Sequence, residues 1–319
     1  MTRLRCAILD DYLNLSLKVA DWSKVEDRVD ITVFNQPFAS QENAISALRD
    51  FEIILAMRER TPFPRAMFDA LPKLKLLITS GMRNASIDMA AAKDKQVVLC
   101  GTSWPRDPTA ALTMGMILEL TRNIVRENAR MHGGEYLQKH IGIEIEDKTL
   151  GVVGLGKLGA KVAGLAKAFG MNVIAWSPNL TAERCKEVGV GYATKEELFS
   201  TADFITIHVV LSDRSRGLVG AADLARMKPT SFIVNTARGP IIDEMALLET
   251  LKARKIAGAA VDVFSVEPLP VDHPFRKLDN LVLTPHLGYV TQETFIAHYN
   301  QMVEGIDGWL NGEPVRKLA

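Results

Sequence analysis

Short apolar runs alternate with stretches of helical spacing along almost the whole chain. Over residues 1–100, five such runs have the length of strands, and the segments between them place apolar side chains three or four residues apart. Strands joined by single helices form parallel sheets through right-handed crossovers. We therefore predict one compact α/β domain here. Its expected strands are Cys6–Leu9, Ile31–Phe34, Ile53–Met57, Leu76–Thr79 and Val97–Cys100.

A second series of the same kind begins after residue 101. Its first helix, predicted over Thr109–Arg126, is apolar nearly all round, which is typical of burial on more than one side. A central core helix and a helix that also packs against a second subunit both remain open. Six apolar runs then alternate with helical segments, the pattern of a doubly wound sheet. These expected strands are Leu150–Val153, Val173–Trp176, Phe204–Val210, Phe232–Asn235, Ala259–Val263 and Leu281–Thr284.

Composition supports a folded protein of two domains. The chain has 319 residues, and domains average roughly 150 residues. It is 47% hydrophobic and 24% charged, which excludes a largely disordered chain. Lysine and arginine number 38, as do aspartate and glutamate, and no basic block occurs. A nucleic-acid partner is therefore not expected.

Several features bear on compartment and metal binding. The apolar run at Met1–Leu9 ends in two aspartates, unlike a secretory signal, and no run of 18 apolar residues could span a membrane. The three cysteines are too few for a disulfide framework, and the six histidines form no zinc motif. We expect a soluble, cytoplasmic protein with neither a membrane partner nor a metal.

The pattern G-x-G-x-x-G at 154–159 lies between a predicted strand and a predicted helix, and a second strand follows at 172–176. In such a βαβ unit the first glycine permits a tight turn, the second lets the backbone approach a pyrophosphate, and the third lets helix and strand pack closely. N–H groups at the helix start face the anion. A dinucleotide site is predicted at Gly154, Gly156, Lys157, Leu158 and Gly159.

The residue expected to select the ribose is unusual. An acidic residue normally ends the second strand of the unit, where it accepts hydrogen bonds from the 2′-OH of NAD and repels a 2′-phosphate. Here Ser177 occupies that position, and Pro178 and Asn179 supply no arginine beside it. The cofactor is therefore predicted to be NAD(P), with NADP slightly favoured.

Three further stretches, 235–239, 262–268 and 284–288, each follow a predicted strand of the second domain. They carry Arg238, Glu267 and His286. Ligands of open α/β sheets lie beyond the carboxyl ends of the strands, so all three residues are expected at the rim that holds the dinucleotide. Each alone has a structural explanation: a surface arginine, a helix-capping glutamate, a loop histidine. Together with the dinucleotide motif they indicate a reaction site.

Across essentially its whole length the sequence resembles the D-isomer-specific 2-hydroxyacid dehydrogenase family, which includes D-lactate, glycerate/hydroxypyruvate and phosphoglycerate dehydrogenases. The resemblance implies an oxidoreductase that transfers a hydride between NAD(P)H and a small 2-oxo acid or D-2-hydroxy acid. By resemblance, Arg238 holds the substrate carboxylate and carbonyl, His286 is the acid/base and Glu267 is its partner. The further cofactor contacts that the family implies are Val209, Thr236, Asp262 and Gly288.

The chemistry agrees with these residue types. Reduction of a 2-oxo acid needs a hydride and a proton, and histidine delivers a proton efficiently near neutral pH. A neighbouring carboxylate stabilises imidazolium, and arginine binds a carboxylate in a two-pronged geometry.

The resemblance also implies an architecture. We expect two doubly wound parallel-sheet domains. One is a discontinuous, flavodoxin-like substrate-binding domain over 1–100, completed by a final helix within 291–319. The other is a Rossmann dinucleotide-binding domain over 101–290, through which homodimers form.

Two segments depart from the family pattern. The substrate loop usually follows the pattern G-x-G-x-D, whereas here Arg83 replaces the second glycine and Ala85 the aspartate. The backbone N–H groups of Met82 and Arg83 are still expected to bind the substrate carboxylate, while Arg83 adds a cation that either faces the substrate or turns to solvent. The usual H-x-P after the fourth strand of the cofactor domain has Val210 in place of proline.

Two alternative functions are retained. A formate dehydrogenase-like enzyme would share the fold, but it is expected to carry glutamine at position 267, where this chain has Glu267. A non-enzymatic, NAD(H)-sensing corepressor-like protein would need the dinucleotide site without the reaction residues. The retained Arg238, Glu267 and His286 favour the enzyme.

Overall fold

The computed structural model describes residues 3–103 and 106–318. They divide into two compact units, one holding the residues up to Arg106 and those from Thr291 onward, the other Asp107–Val290. No helix in the described part of the chain is long and apolar enough to cross a membrane. The strands are β1 (Leu4–Ile8), β2 (Val29–Val33), β3 (Ile53–Ala56), β4 (Leu76–Thr79), β5 (Val98–Gly101), β6 (Thr149–Val153), β7 (Asn172–Trp176), β8 (Gly191–Tyr192), β9 (Phe204–Ile207), β10 (Phe232–Asn235), β11 (Gly258–Val261) and β12 (Leu281–Leu283).

Helices separate almost all of these strands. Side chains of serine, threonine and aspartate cap many of them, as Ser40, Asp88 and Thr181 do by accepting a first-turn N–H. The helices are α1 (Ser16–Val19), α2 (Gln41–Leu48), α3 (Arg65–Ala70), α4 (Met89–Asp94), α5 (Thr109–Arg122), α6 (Ile124–His132), α7 (Lys157–Ala168), α8 (Ala182–Val188), α9 (Lys195–Thr201), α10 (Ala221–Leu224), α11 (Glu244–Lys252) and α12 (Gln292–Leu310).

The first unit is built on a five-stranded parallel sheet in the order β2-β1-β3-β4-β5. This is the flavodoxin-like order. Strands β3 and β4 are buried along their whole length, as parallel strands covered on both faces must be. The long C-terminal helix α12 packs on β4, where a Cβ on Gly305 would lie 2.7 Å from Ile78 Cδ1. Helix α12 therefore belongs to the same unit as strands β1 to β5, although the second unit separates them in the sequence.

The second unit carries a seven-stranded parallel sheet in the order β12-β11-β10-β9-β6-β7-β8. Strands β6 to β11 follow the Rossmann order, β8-β7-β6-β9-β10-β11. The direction of winding reverses between β6 and β9. Two apolar cores, one on each face, bury the sheet. Helix α5 packs against α7, β10 and β11, so it is a core helix of this unit. The expected fold class, two doubly wound parallel sheets, is confirmed.

Two expected elements end three or more residues earlier in the structure, and one observed strand was not expected. The helix predicted over Thr109–Arg126 ends at Arg122, because Asn123 adopts the left-handed conformation at φ 53° and a separate α6 follows. The strand predicted over Phe204–Val210 ends at Ile207, so Val209 and Val210 lie in the loop after it. The sheet also has a short exposed edge strand, β8, which carries too few apolar residues to give a strand pattern.

Candidate active site

The glycine-rich turn after β6 has the geometry that a dinucleotide needs. Gly154 has φ +101°, and a Cβ there would lie 2.9 Å from the His208 carbonyl oxygen. A Cβ on Gly159 would lie 2.0 Å from the Gly154 oxygen, so the turn and helix α7 approach too closely for any side chain. A Cβ on Gly156 would meet nothing within 4 Å. The open space lies at the glycine whose backbone is expected to approach a pyrophosphate.

Helix α7 begins directly at this turn. Gly156 is its N-cap and Lys157 its first residue, and no side chain caps the helix. The N–H groups of Lys157 and Leu158 belong to the first turn, where donors lack intrahelical partners. The Lys157 ammonium lies 3.2 Å from Asp107 Oδ2. These residues fit the phosphates of NAD(P), since a helix N-terminus favours an anion.

Other expected cofactor residues lie at the same carboxyl edge of the sheet. Ser177 directly follows β7 and is half-buried, and its carbonyl accepts the N–H of Leu180 at 3.0 Å. Val209 follows β9 and approaches the glycine turn, its Cγ1 lying 2.8 Å from an ideal Cβ on Gly154. Thr236 follows β10 and is buried, with its Oγ1 2.9 Å from Thr113 Oγ1.

Arg238 lies in a tightly tied loop after β10. Asn235 donates from Nδ2 to the Arg238 carbonyl at 3.0 Å and accepts the Ala237 N–H at 3.0 Å, while Arg238 Nη1 donates to the Ala237 carbonyl at 2.7 Å. The following Gly239 packs against the backbone of the next loop. A Cβ there would lie 2.1 Å from the Phe264 carbonyl carbon. The loops carrying Arg238 and Glu267 are therefore in direct contact.

Glu267 and His286 form a hydrogen-bonded pair. The distance between His286 Nδ1 and Glu267 Oε2 is 2.6 Å, and Glu267 Oε1 accepts the N–H of Phe264 at 2.9 Å. The His286 side chain is 15% exposed and the Glu267 side chain is 29% exposed. The His286 ring also meets the Tyr289 ring edge-on, with centroids 5.6 Å apart. The carboxylate acts as acceptor, so Nδ1 donates to it and Nε2 is the nitrogen that can exchange a proton with a substrate.

Asp262 holds the loop that presents His286. Its carboxylate accepts the Thr284 hydroxyl and the Leu287 N–H, each at 2.6 Å, and the Gly288 N–H at 2.8 Å. Its backbone carbonyl accepts the His286 N–H at 2.8 Å, which fixes His286 at φ 56°. Burial raises the pKa of Asp262 above its ordinary value, and the hydrogen bonds to its carboxylate oppose that shift.

This structural role of Asp262 is absent from the sequence analysis, which gave that residue and Gly288 cofactor contacts only. The sequence signal that could have indicated this role is an aspartate directly after the buried strand β11, next to the strand whose loop carries His286. Gly288 is tightly packed as well, since a Cβ there would lie 3.2 Å from Asp262 Oδ2 and 3.0 Å from Thr109.

His208, the histidine of the H-x-P position after β9, is half-buried as a residue, but both of its ring nitrogens are buried. Neither ring nitrogen has a hydrogen-bond partner among the described residues. Burial lowers the pKa of His208 to about 4, so the ring is neutral at physiological pH.

Met82 and Arg83 belong to the first unit, in the loop that follows β4. Met82 is 42% exposed and Arg83 is exposed. The preceding Gly81 has φ +95°. The second unit thus places Arg238, Glu267 and His286 in three adjacent loops, where the Arg238 loop contacts the Glu267 loop and His286 bonds to Glu267. The first unit holds the expected substrate loop.

Comparison with known proteins decides the family. Residues 114–288, more than half of the chain, match the family model "D-isomer specific 2-hydroxyacid dehydrogenase, NAD binding domain". The chain belongs to this family. The resemblance inferred from the motifs is thereby confirmed, and an NAD-type dinucleotide is the cofactor of the matched domain.

Individual 2-hydroxyacid dehydrogenases resemble the chain over most of its length. A D-3-phosphoglycerate dehydrogenase from Methanocaldococcus jannaschii is 39% identical over 86% of this chain and 52% of its own. A hydroxypyruvate reductase from Thermotoga maritima is 38% identical over 75% of this chain and 79% of its own. The structure of phosphoglycerate oxidoreductase from Vibrio cholerae O395 superposes with a TM-score of 0.92, at 31% identity, over 97% of this chain and 99% of that one.

The chain spans about half the length of the phosphoglycerate dehydrogenases it matches. Among residues 3–103 and 106–318, no group of three or more histidine, cysteine, aspartate or glutamate side chains is arranged to hold a metal ion.

Proposed function

We propose that the chain is an NAD(P)-dependent D-2-hydroxyacid dehydrogenase that reduces a small 2-oxo acid, with His286 as the acid/base. The observation that carries the proposal is the 2.6 Å bond between His286 and Glu267, at the carboxyl edge of a sheet with a dinucleotide turn. A histidine bonded to a carboxylate beside a hydride-carrying cofactor can supply the proton that carbonyl reduction needs.

The proposed roles follow from the contacts of each residue. Bound nicotinamide supplies the hydride. Arg238 binds the substrate carboxylate and polarises the 2-oxo group, and a guanidinium suits both tasks because its donors are fixed in one plane. His286 gives the proton at Nε2 to the developing alkoxide, while Glu267 stabilises the imidazolium form through Nδ1. In the oxidative direction the same nitrogen accepts the proton.

The cofactor would be held by the residues around the glycine turn. Gly154, Gly156 and Gly159 form the turn, and the N–H groups of Lys157 and Leu158 meet the phosphates. Ser177 would contact the ribose. Val209, Thr236, Asp262 and Gly288 would lie along the nicotinamide half of the cofactor.

A substrate panel tests the proposal. Glyoxylate, hydroxypyruvate, pyruvate, phenylpyruvate and phosphohydroxypyruvate are each offered with NADH and with NADPH, and oxidation of the nicotinamide is followed. At least one pair is expected to show saturable turnover, and formate with NAD⁺ to show none. Tight dinucleotide binding without reduction of any 2-oxo acid would favour a sensing role instead. Oxidation of formate would favour a formate dehydrogenase-like enzyme.

Arg83 is proposed to add specificity for substrates with a second anionic group. Arg83→Gly is expected to lower kcat/KM for phosphohydroxypyruvate about fivefold more than for glyoxylate, since an exposed charge pair contributes up to about 1 kcal/mol. Arg83→Gln, which keeps a long side chain but removes the charge, serves as the matched control and should show the same selective loss. Equal losses for both substrates would mean that Arg83 only shapes the loop.

Ser177 is proposed to let the enzyme accept NADPH at least as well as NADH. Ser177→Asp is expected to lower kcat/KM for NADPH at least tenfold more than for NADH. Two like charges about 4 Å apart near a surface repel by up to about 4 kcal/mol before solvent screening reduces the value. Ser177→Asn, similar in size but uncharged, is the control and should change the ratio little. A hundredfold preference of the wild type for NADH would contradict the proposal.

We also propose a homodimer formed through the second unit. Helix α6 and the segment after it expose an unusual number of large apolar side chains, and patches of this kind on soluble domains mark interfaces. Val125→Glu and Ile141→Glu are expected to shift the mass measured by light scattering from dimer to monomer. Val271→Glu, at an exposed site elsewhere, should leave the mass unchanged. The apolar side chains are Ile124, Val125, Met131, Tyr136, Leu137 and Ile141.

A further inference from the structure

A chain of hydrogen bonds within the first unit joins the C-terminal helix to the expected substrate loop. His298, in α12, is only 4% exposed, and its Nδ1 lies 2.5 Å from the hydroxyl of Thr102. Thr102, which follows β5, is fully buried, and its hydroxyl oxygen accepts the N–H of Gly81 at 3.0 Å. Three segments far apart in sequence thus meet at one hydroxyl group.

The Thr102 hydroxyl can bond to both partners at once. The Gly81 N–H donates to one lone pair of the oxygen, and the bond to His298 Nδ1 uses either the hydroxyl hydrogen or the second lone pair, according to the tautomer of the ring. Burial, together with the positive charge of Arg58, lowers the pKa of His298 to about 4, so the ring is neutral at physiological pH.

The other side of the same loop is held by Arg58. Its N–H donates to Ser80 Oγ at 2.8 Å, and its carbonyl accepts from Asn84 Nδ2 at 2.6 Å. Gly81 has φ +95°, a backbone conformation that strains residues with a Cβ, so glycine is favoured at this position. The loop is therefore fixed before and after its tip.

The tip itself retains unused donors. In the described part of the chain, the N–H groups of Met82 and Arg83 have no protein acceptor within hydrogen-bonding distance. Two adjacent N–H donors on a fixed backbone suit a carboxylate, because nothing has to be reordered when the anion binds.

We propose that His298 is a positioning residue for substrate: acting through Thr102, it fixes Gly81 so that the N–H groups of Met82 and Arg83 are held ready for the substrate carboxylate. The proposal rests on the proposed function and extends it to three groups that do not touch the substrate. It assigns His298 to binding, whereas His286 acts in the chemical step.

The test uses two matched pairs of variants. Thr102→Val removes the hydroxyl and Thr102→Ser keeps it. His298→Leu removes the hydrogen-bonding ring nitrogen, and His298→Asn supplies an amide group that can donate or accept in its place. KM and kcat are measured with the best 2-oxo acid, and the Kd of oxamate, an unreactive analogue, is measured with NADH present. Thr102→Val and His298→Leu are expected to raise KM and the oxamate Kd about five- to tenfold, the effect of one lost hydrogen bond, with kcat nearly unchanged.

The conservative variants separate positioning from general destabilisation. Thr102→Ser and His298→Asn should restore most of the affinity, and the Kd of the dinucleotide should be the same in all four variants. Thr121→Val, which removes a buried hydroxyl bonded to the Ile117 carbonyl in the second unit, should leave the oxamate Kd unchanged. In the wild type, ¹⁵N spectra should show His298 as a neutral ring at physiological pH.

The outcomes distinguish this inference from the proposed function. If the wild type binds oxamate but reduces no 2-oxo acid, the function is wrong and the oxamate affinities of the variants still decide the inference. Equal oxamate Kd values for Thr102→Val and Thr102→Ser would overturn the inference, as would a wild type that binds no oxamate.

Discussion

Replacement of His286 by alanine is expected to lower kcat for the preferred 2-oxo acid by at least two orders of magnitude. A positioned general acid contributes about 10²–10⁴-fold. The ring is held by the Glu267 carboxylate at 2.6 Å, and the backbone N–H of His286 donates to the Asp262 carbonyl. Steady-state kinetics at saturating cofactor measure the loss. The Kd of the dinucleotide, measured by fluorescence titration, should stay nearly the same because the glycine turn is untouched.

Glu267→Gln is the companion variant. Glutamine keeps the shape but loses the negative charge beside the ring, so the proton transfer proposed for His286 loses its stabilising partner. The variant is expected to lower kcat for the preferred 2-oxo acid, though less than His286→Ala does, with the Kd of the dinucleotide nearly unchanged. Near-normal turnover of either variant would contradict the assignment of the pair.

Arg238→Lys is expected to lower kcat/KM for every 2-oxo acid by about 10²-fold, nearly as much as Arg238→Gln. Lysine retains the charge but not the planar pair of donors, and one lost donor to developing charge commonly reduces the rate by about 10²–10³-fold. Initial rates at low substrate concentration give kcat/KM directly. A large gap between the two variants would mean that charge alone matters.

Arg238 also holds its own loop, through the bond from Nη1 to the Ala237 carbonyl. Thermal unfolding of both variants therefore accompanies the kinetics. The expected fall in kcat/KM should appear in variants whose midpoint differs from the wild type by only a few degrees, because a single partly exposed hydrogen bond contributes about 1 kcal/mol. Full activity in Arg238→Lys would contradict the proposed two-pronged binding.

The sequence predicted the features that repeat or that have a local cause. Buried parallel strands are short apolar runs, and the turn at 154–159 needs glycine for reasons that lie within six residues. The sheets and the dinucleotide turn were accordingly predicted. Asn123 shows the limit of periodicity, since the apolar spacing continues through the residue whose left-handed conformation ends α5.

The features that the sequence analysis missed depend on pairs far apart in the chain. Asp262 accepts hydrogen bonds from residues up to 26 positions away, and Thr102 meets His298 across 196 positions. No spacing rule connects such residues, because the sheet order, and not the chain, makes them neighbours. For the same reason the motif at 284–288 identified a histidine, but not the carboxylate that fixes its backbone.

The position of Asp262 has a consequence for how active relatives are distinguished from inactive ones. A single buried carboxylate gathers three donors from one short loop, so the placement of the proposed acid/base His286 depends on a residue outside the arginine–glutamate–histidine set. A homologue in which that aspartate has become apolar would retain every reaction residue, yet its histidine backbone would be free to leave φ 56°. Such a chain is expected to bind dinucleotide and turn over slowly, a natural route from enzyme to sensor that a search for the three residues alone would overlook.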